Sequence, residues 1–185
     1  MTMNFSETGL PGVLLVEPKV FSDDRGFFME TYQARDFAAA GIQGNFVQDN
    51  QSGSRQGVLR GLHYQIKQPQ GKLVRATVGE VYDVVVDLRR KSPTFGKHAG
   101  YILSAESKKQ LWIPAGLAHG FYVLSDWAEV SYKATDFYAP QFERTLLWSD
   151  PMLRIHWPII VGQPPVVSAK DAQGSLLSAA EVFDD

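Results

Sequence analysis

The stretch Lys72-Leu-Val-Arg-Ala-Thr-Val-Gly-Glu-Val-Tyr-Asp-Val-Val-Val-Asp-Leu88 decides the fold class. Two runs rich in β-branched residues, 72–78 and 80–88, meet at Gly79, a residue that turns the chain with little steric cost. Working outward, the same pattern recurs at 13–16, 26–32, 46–51, 57–65, 100–104, 111–113, 120–124 and 129–134, with Gly, Pro, Asn and Asp in between. Many short strands broken by turn residues predict an all-β sandwich or barrel. The early helical pattern is 34–40, where good helix formers run into Gly41, and it predicts a peripheral helix. From Trp148 onward, Pro151, Pro158, Pro164 and Pro165 break regular structure, so this stretch is expected to wrap over the barrel. A short terminal helix is expected over 176–182. No repeat or linker interrupts the chain, which predicts one domain over 1–185.

The composition narrows the function. At 185 residues with 44% hydrophobic side chains, there is material for both a core and a ligand pocket. A net charge of -2 gives no overall basic field for a nucleic acid or an acidic membrane surface, so any phosphate must be gripped locally. Cysteine is absent, which excludes disulfides, thiolate metal sites and thiol nucleophiles and suits a reducing compartment. Residues 1–8 lack the basic-then-apolar pattern of a signal peptide, and no apolar run approaches the ~20 residues that span a bilayer. A cytoplasmic enzyme is the expectation.

Four places carry polar groups that a barrel core would not ordinarily hold: Arg60-Gly61-Leu62-His63, Lys72, His119-Gly120 and Tyr132-Lys133. Alternation puts Lys72 on the face of Val74, Ala76 and Val78, pointing inward. A buried ammonium needs a partner and so suggests a pocket for an anionic or carbonyl ligand, whereas a strand-end lysine that snorkels to water needs no pocket. Tyr132 shares a face with Val130 and Ala134, where a phenol is either a structural donor or a proton source. Arg60 and His63 fall on opposite faces of a regular strand unless Gly61 carries a bulge. Ser168-Ala-Lys-Asp171 reads as a helix N-cap, and equally allows Asp171 to orient an imidazole across the fold. His63-Tyr64-Gln65 offers one imidazole where metal-binding barrels present two, and His119 has no near second ligand, so the site reads as metal-free. His98 and His156 are isolated and read as structural or exposed.

Eight stretches in one order resemble the dTDP-4-dehydrorhamnose 3,5-epimerase family. They are Phe21-Ser-Asp-Asp-Arg-Gly-Phe-Phe-Met-Glu30, Phe46-Val-Gln-Asp-Asn-Gln-Ser52, Gly57-Val-Leu-Arg-Gly-Leu-His-Tyr-Gln65 and Gln70-Gly-Lys-Leu-Val-Arg75. Ser92-Pro-Thr-Phe-Gly-Lys97, Trp112-Ile-Pro-Ala-Gly-Leu-Ala-His-Gly-Phe121, Tyr132-Lys133 and Ser168-Ala-Lys-Asp171 follow. The resemblance implies a jelly-roll, cupin-like barrel with short peripheral helices, a homodimer, no cofactor, and a dTDP-4-keto-6-deoxyhexose substrate in dTDP-rhamnose biosynthesis. It implies His63 as general base, Asp171 as its partner, Tyr132 as acid on the opposite face of the sugar, and Lys72 at the enolate oxygen with Arg60 nearby. Arg25, Glu30, Gln48, Asn50, His119, Glu143 and Lys170 fall where the family contacts nucleotide and sugar, some from the neighbouring subunit. His98 stands where an aromatic residue is expected, and a proline is missing after Asp171.

Both C3 and C5 of a 4-keto sugar lie beside the carbonyl, so their protons can leave with the charge delocalised onto O4, and no redox cofactor is needed. Three other readings stay open on the residues: a single-centre epimerase of C3 or C5, a non-catalytic sugar-nucleotide-binding cupin, and a metal-dependent cupin oxygenase, which the missing second histidine disfavours.

Overall fold

A computed structural model describes residues 3–42 and 44–184. Thirteen strands run in the order β1 (Met3–Glu7), β2 (Leu14–Pro18), β3 (Val20–Asp23), β4 (Gly26–Met29), β5 (Gln48–Arg55), β6 (Leu59–Gln65), β7 (Lys72–Val78), β8 (Glu80–Asp87), β9 (His98–Ser104), β10 (Gln110–Ile113), β11 (Leu117–Val123), β12 (Trp127–Ala134) and β13 (Glu143–Thr145). Helix α1 (Ala34–Ala39) precedes β5, and α2 (Ala169–Ala172) lies near the C-terminus.

The β-branched alternation found around Gly79 builds two antiparallel sheets. One has the order β1-β2-β10-β7-β12-β5 and the other β13-β6-β11-β8-β9. Their facing sides enclose the barrel core, where Val74 and Ala76 of β7 meet Val81 and Val85 of β8, Phe121 and Val123 of β11, and Val130 of β12. Each fully buried Val or Leu contributes about 1.5–3 kcal/mol. The architecture is the expected all-β jelly-roll, cupin-like barrel. β11 is buried along its whole length. Its inner face joins this core, while Ala118 on its outer face joins a second cluster, with Val84, Val86 and the C-terminal residues Leu153 and Trp157. The stretch after Trp148 does wrap over the barrel, tied by the isolated bridges of Val58 with Val166, Leu146 with Ser175 and Arg89 with Phe183. A third cluster joins Phe37 of α1 to Val16, Leu73 and Trp112 on the outside of the six-stranded sheet.

Five elements depart from the sequence reading. The helix expected over 176–182 is a single 3-10 turn at Leu177–Ala179. Phe183 instead pairs in extended form, donating its N–H to Leu88 and accepting from Arg90, which pulls the chain straight. β5 begins at Gln48 and runs to Arg55, through Ser52, Gly53 and Ser54, poor strand formers held by eight residue pairs with β12. β1, β3 and β13 were not foreseen, being short segments whose pairing partner decides their conformation. Among the described residues, no helix is long and apolar enough to cross a membrane.

Candidate active site

A cavity of about 240 Å³ opens inside the barrel, lined by Asn50 of β5, Arg60 and His63 of β6, Lys72 of β7, His119 of β11 and Tyr132 of β12. A wider depression of about 450 Å³ lies between Arg75, Gln110, Ser131 and Lys133, on the opposite side of the six-stranded sheet from the core. Size does not single out the site; the convergence of titratable groups does.

Arg60 and His63 reach the same cavity because β6 is irregular. His119 pairs with His63 but Phe121 pairs with Arg60, so the spacing is three residues on one strand and two on the other. That extra residue is a bulge, and Gly61 lies within it. Gly61 has φ +119, and a Cβ there would sit 2.6 Å from Gly120 Cα. A Cβ on Gly120 would in turn sit 2.5 Å from the Arg60 carbonyl oxygen. The two strands therefore require glycine at both positions to approach this closely. Arg60 is held by its Nε–H donating to Ser54 Oγ at 3.0 Å.

His63 Nε2 lies 2.6 Å from Asp171 Oδ1. This leaves Nδ1 as the ring nitrogen able to take up a proton. Asp171 is buried, at 3% exposure, and sits in α2, where Ser168 Oγ accepts its backbone N–H at 3.1 Å. Both sequence readings of this segment thus coexist: Ser168 caps the helix while the Asp171 side chain orients the imidazole. Burial works to raise the Asp171 pKa. The hydrogen bond and charge of His63, with Ser168 and the Gly61 N–H, outweigh it and leave the carboxyl below its ordinary value.

Lys72 lines the cavity, with its Nζ 5.8 Å from the centre of the Tyr132 ring. Burial pushes its pKa down to about 8, against the opposing pull of Glu143 and Asp83. Tyr132 is displaced the other way: burial raises it, Glu143 adds to the rise and Arg60 resists. Its phenol is therefore a firmly protonated group facing the cavity. His63 and Tyr132 are carried by different sheets that face one another across the barrel.

The remaining sequence candidates fall into two groups. Glu143 and Lys170 form an ion pair of 2.6 Å beside the cavity, and Tyr138 donates its hydroxyl to Glu143 at 2.8 Å. Burial raises the Glu143 pKa, but Lys170, Tyr138 and His63 together bring it below normal. Gln48 donates to Asn50 Oδ1 at 2.9 Å and accepts the Tyr138 N–H, at the edge of the same region. Arg25 and Glu30 stand apart from the cavity lining. Arg25 is paired with Asp23 at the exposed turn of the β3–β4 hairpin, with 90% of its side chain exposed, and Glu30 follows that hairpin partly exposed. Phe21, Phe27 and Phe28 of the hairpin are also exposed. His156 is exposed and His98 half-buried, and neither lines the cavity.

One residue escaped the sequence reading. Asp83, with no exposure, lies 2.7 Å from His119 Nε2 and makes a second histidine–carboxylate pair in the barrel. Its signal was available, because alternation along β8 puts Asp83 on the inward face between Val81 and Val85. Among the described residues, no group of three or more His, Asp or Glu side chains is arranged to hold a metal ion.

The chain is similar over its length to known proteins. The family described as dTDP-4-dehydrorhamnose 3,5-epimerase matches residues 7–179. The dTDP-4-dehydrorhamnose 3,5-epimerase of Pseudomonas aeruginosa is 58% identical over 182 residues, which cover 98% of this chain and 99% of that protein. The corresponding enzyme of Shigella flexneri is 55% identical, covering 98% of this chain and 99% of its own. The crystal structure of the dTDP-6-deoxy-D-glucose-3,5-epimerase of Legionella pneumophila, in complex with dTDP-4-keto-L-rhamnose, superposes with a TM-score of 0.95. It shares 49% identity and covers 99% of this chain and 98% of that one. By sequence and by fold, this chain belongs to the dTDP-4-dehydrorhamnose 3,5-epimerase family.

Proposed function

We propose that this chain is a dTDP-4-dehydrorhamnose 3,5-epimerase, converting dTDP-4-dehydro-6-deoxy-D-glucose to dTDP-4-dehydro-L-rhamnose in dTDP-L-rhamnose biosynthesis. The observation that carries the reading is the His63–Asp171 pair on one wall of the cavity, with Tyr132 and Lys72 on neighbouring strands of the facing sheet. His63 Nδ1 takes the proton from C3 or C5. The electron pair of that C–H bond delocalises onto O4, where the Lys72 ammonium stabilises it. The Tyr132 hydroxyl then delivers a proton to the carbon from the opposite face, which inverts the centre. Imidazolium and tyrosinate return to their starting states by exchange with solvent, and the same cycle at the second carbon completes the reaction. Asp171 favours the imidazolium once it forms.

The nucleotide supplies binding energy remote from the reacting carbons. Asn50, Arg60, His119, Glu143 and Lys170 are placed at or beside the cavity, with Gln48 at its edge. Arg25 and Glu30 are assigned to the site of a second subunit, since the exposed hairpin that bears them does not reach the cavity of its own chain; this makes the active form a homodimer. The protein is read as one domain acting in the cytoplasm on a sugar nucleotide, without metal or cofactor.

The test is incubation with dTDP-4-keto-6-deoxyglucose in D₂O, reading deuterium at C3 and C5 by NMR for wild type and His63→Ala. Deuterium at both carbons, lost in the variant, is the expected result. Exchange at one carbon alone would assign a single-centre epimerase, and tight binding with no exchange would leave a binding protein.

A further inference from the structure

Residues 136–139, between β12 and β13, expose the rings of Phe137 and Tyr138, yet glutamine side chains pin their backbone at each residue. Gln70 Nε2 donates to the Asp136 carbonyl at 2.8 Å and Gln65 Nε2 to the Phe137 carbonyl at 3.3 Å. Gln48 Oε1 accepts the Tyr138 N–H at 2.9 Å, and Gln65 Oε1 accepts the Ala139 N–H at 2.9 Å. Gln65 is the buried one of the three, at 4% exposure, and its Nε2 also donates to the Gln68 carbonyl at 2.8 Å. The amide oxygen and both amide hydrogens are therefore engaged. The reverse orientation would set the oxygen against two carbonyls and the NH₂ against an N–H. An aliphatic side chain would fill this place with no polar group to desolvate, so it is the bonds that the position needs. Gln65 also lies two residues after His63 on the same face of β6, and its backbone pairs with Glu143. Tyr138 closes a ring by donating its hydroxyl to Glu143 at 2.8 Å. Glu143 in turn meets Lys170, the neighbour of Asp171, at 2.6 Å.

We infer that Gln65 is a positioning residue for the reaction, whose carboxamide grips the backbone on both sides of Tyr138 and so holds the Tyr138 hydroxyl on Glu143. It thereby fixes this wall of the site to the strand that bears His63. The inference rests on the reading of Glu143 as a contact for the sugar nucleotide. With the bonds in place, Tyr138 and Glu143 meet the substrate already ordered. Without them, substrate binding must supply that ordering, which raises KM. The His63–Asp171 pair and Lys72 take no bond from the Gln65 carboxamide, so kcat holds.

The experiment is Gln65→Met, which keeps the volume and removes the hydrogen bonds. In protein labelled with 3-fluorotyrosine, the Tyr138 ¹⁹F signal is the one lost in Tyr138→Phe. In Gln65→Met that signal is expected to move toward free fluorotyrosine, while those of Tyr82 on β8 and Tyr101 on β9 stay in place. KM is expected to rise about tenfold or more, with kcat within about threefold of wild type. Gln65→Glu, of equal size but with an oxygen facing two carbonyls, is expected to reproduce both changes. A Tyr138 signal that stays in place overturns the inference, as does a fall in kcat with KM unchanged. A shift of all three signals together also overturns it, being the mark of general loosening. Should neither variant fold, the side-chain N–H protons of wild-type Gln65, assigned through bonds to their own backbone, decide instead. They are expected to exchange with D₂O about 10²-fold or more slowly than those of the exposed Gln163, and exchange at the same rate overturns the inference. A wild type without turnover would remove the function assigned above, whereas the fluorine and exchange readings do not depend on turnover and still decide the role of Gln65.

Discussion

His63 and Asp171 stand 108 positions apart in the chain and 2.6 Å apart in space. Their contact exists because the C-terminal stretch folds back over the five-stranded sheet and delivers α2 to the middle of β6. The carboxylate does not face substrate. Its role is to hold one ring nitrogen so that the other is free and basic. Asp171→Asn is expected to keep the fold and lower kcat by about 10²–10⁴, with a much smaller change in KM. Steady-state kinetics beside a thermal melt would check it. A variant with near-normal kcat would leave Asp171 with only its place in the capped helix.

Lys72 couples catalysis to stability with opposite signs. Its folded-state pKa of about 8 lies below the 10.5 of an exposed lysine. Between those values the unfolded chain binds more protons, so stability rises with pH across that window. Below it, the protein carries the cost of a buried charge. Lys72→Met is therefore expected to raise neutral-pH stability by about 1–2 kcal/mol, after allowing for solvent in the cavity. It should also cut the epimerisation rate by about 10²–10³. Denaturant unfolding at pH 7 against turnover tests both signs, and a destabilised variant would contradict the electrostatic account.

How far the site was legible depends on whether each residue obeys a local rule. Lys72 and Tyr132 do: strict alternation on β7 and β12 turns both inward, and the structure lines the cavity with them. Asp83 obeys the same rule on β8, but an isolated aspartate within a valine run belongs to no motif and was passed over. Arg60 and His63 break alternation, and only the bulge at Gly61 brings them to one face, a feature that glycine hints at but does not specify. Asp171 follows from no local rule at all, since its partner is set by how a stretch carrying four prolines lies over the sheet. β13 is three residues long and is a strand only because Gln65, Tyr64 and His63 pair with it.

The Gly61–Gly120 contact is expected to be the least tolerant backbone position near the cavity. Gly61→Ala adds a Cβ 2.6 Å from Gly120 Cα and 2.8 Å from the His119 carbonyl oxygen, at φ +119. The strands must separate, and both His63 and His119 ride on them. A loss of about 1–3 kcal/mol in stability is expected, together with a drop in kcat that persists in the folded fraction at low temperature. Activity per folded molecule equal to wild type would show that the bulge is dispensable for the geometry.

Asp87 offers a test in which stability and catalysis separate. It closes β8 with no exposure and accepts hydrogen bonds from Arg89 Nε at 2.9 Å and from the hydroxyls of Ser92 and Thr94, each at 2.6 Å. Arg89 goes on to donate to the Pro11 carbonyl at 2.9 Å. The Ser92-Pro-Thr motif thus ties down the loop after β8, away from the cavity. Burial tends to raise the Asp87 pKa, but Arg89, Ser92 and Thr94 overcome it and hold the carboxyl at about 2. A folded-state pKa depressed in this way gives stability that is present above the unfolded value, about 3.9, and lost as pH falls through about 2. Asp87→Asn is expected to cost about 2–3 kcal/mol at pH 7 while leaving the kcat of folded protein unchanged. Its deficit should shrink as urea titrations are repeated from pH 4 down toward pH 2, because wild type then loses the same charge. A deficit constant across that range would mean that the shape of the side chain, and not its ionisation, secures the loop.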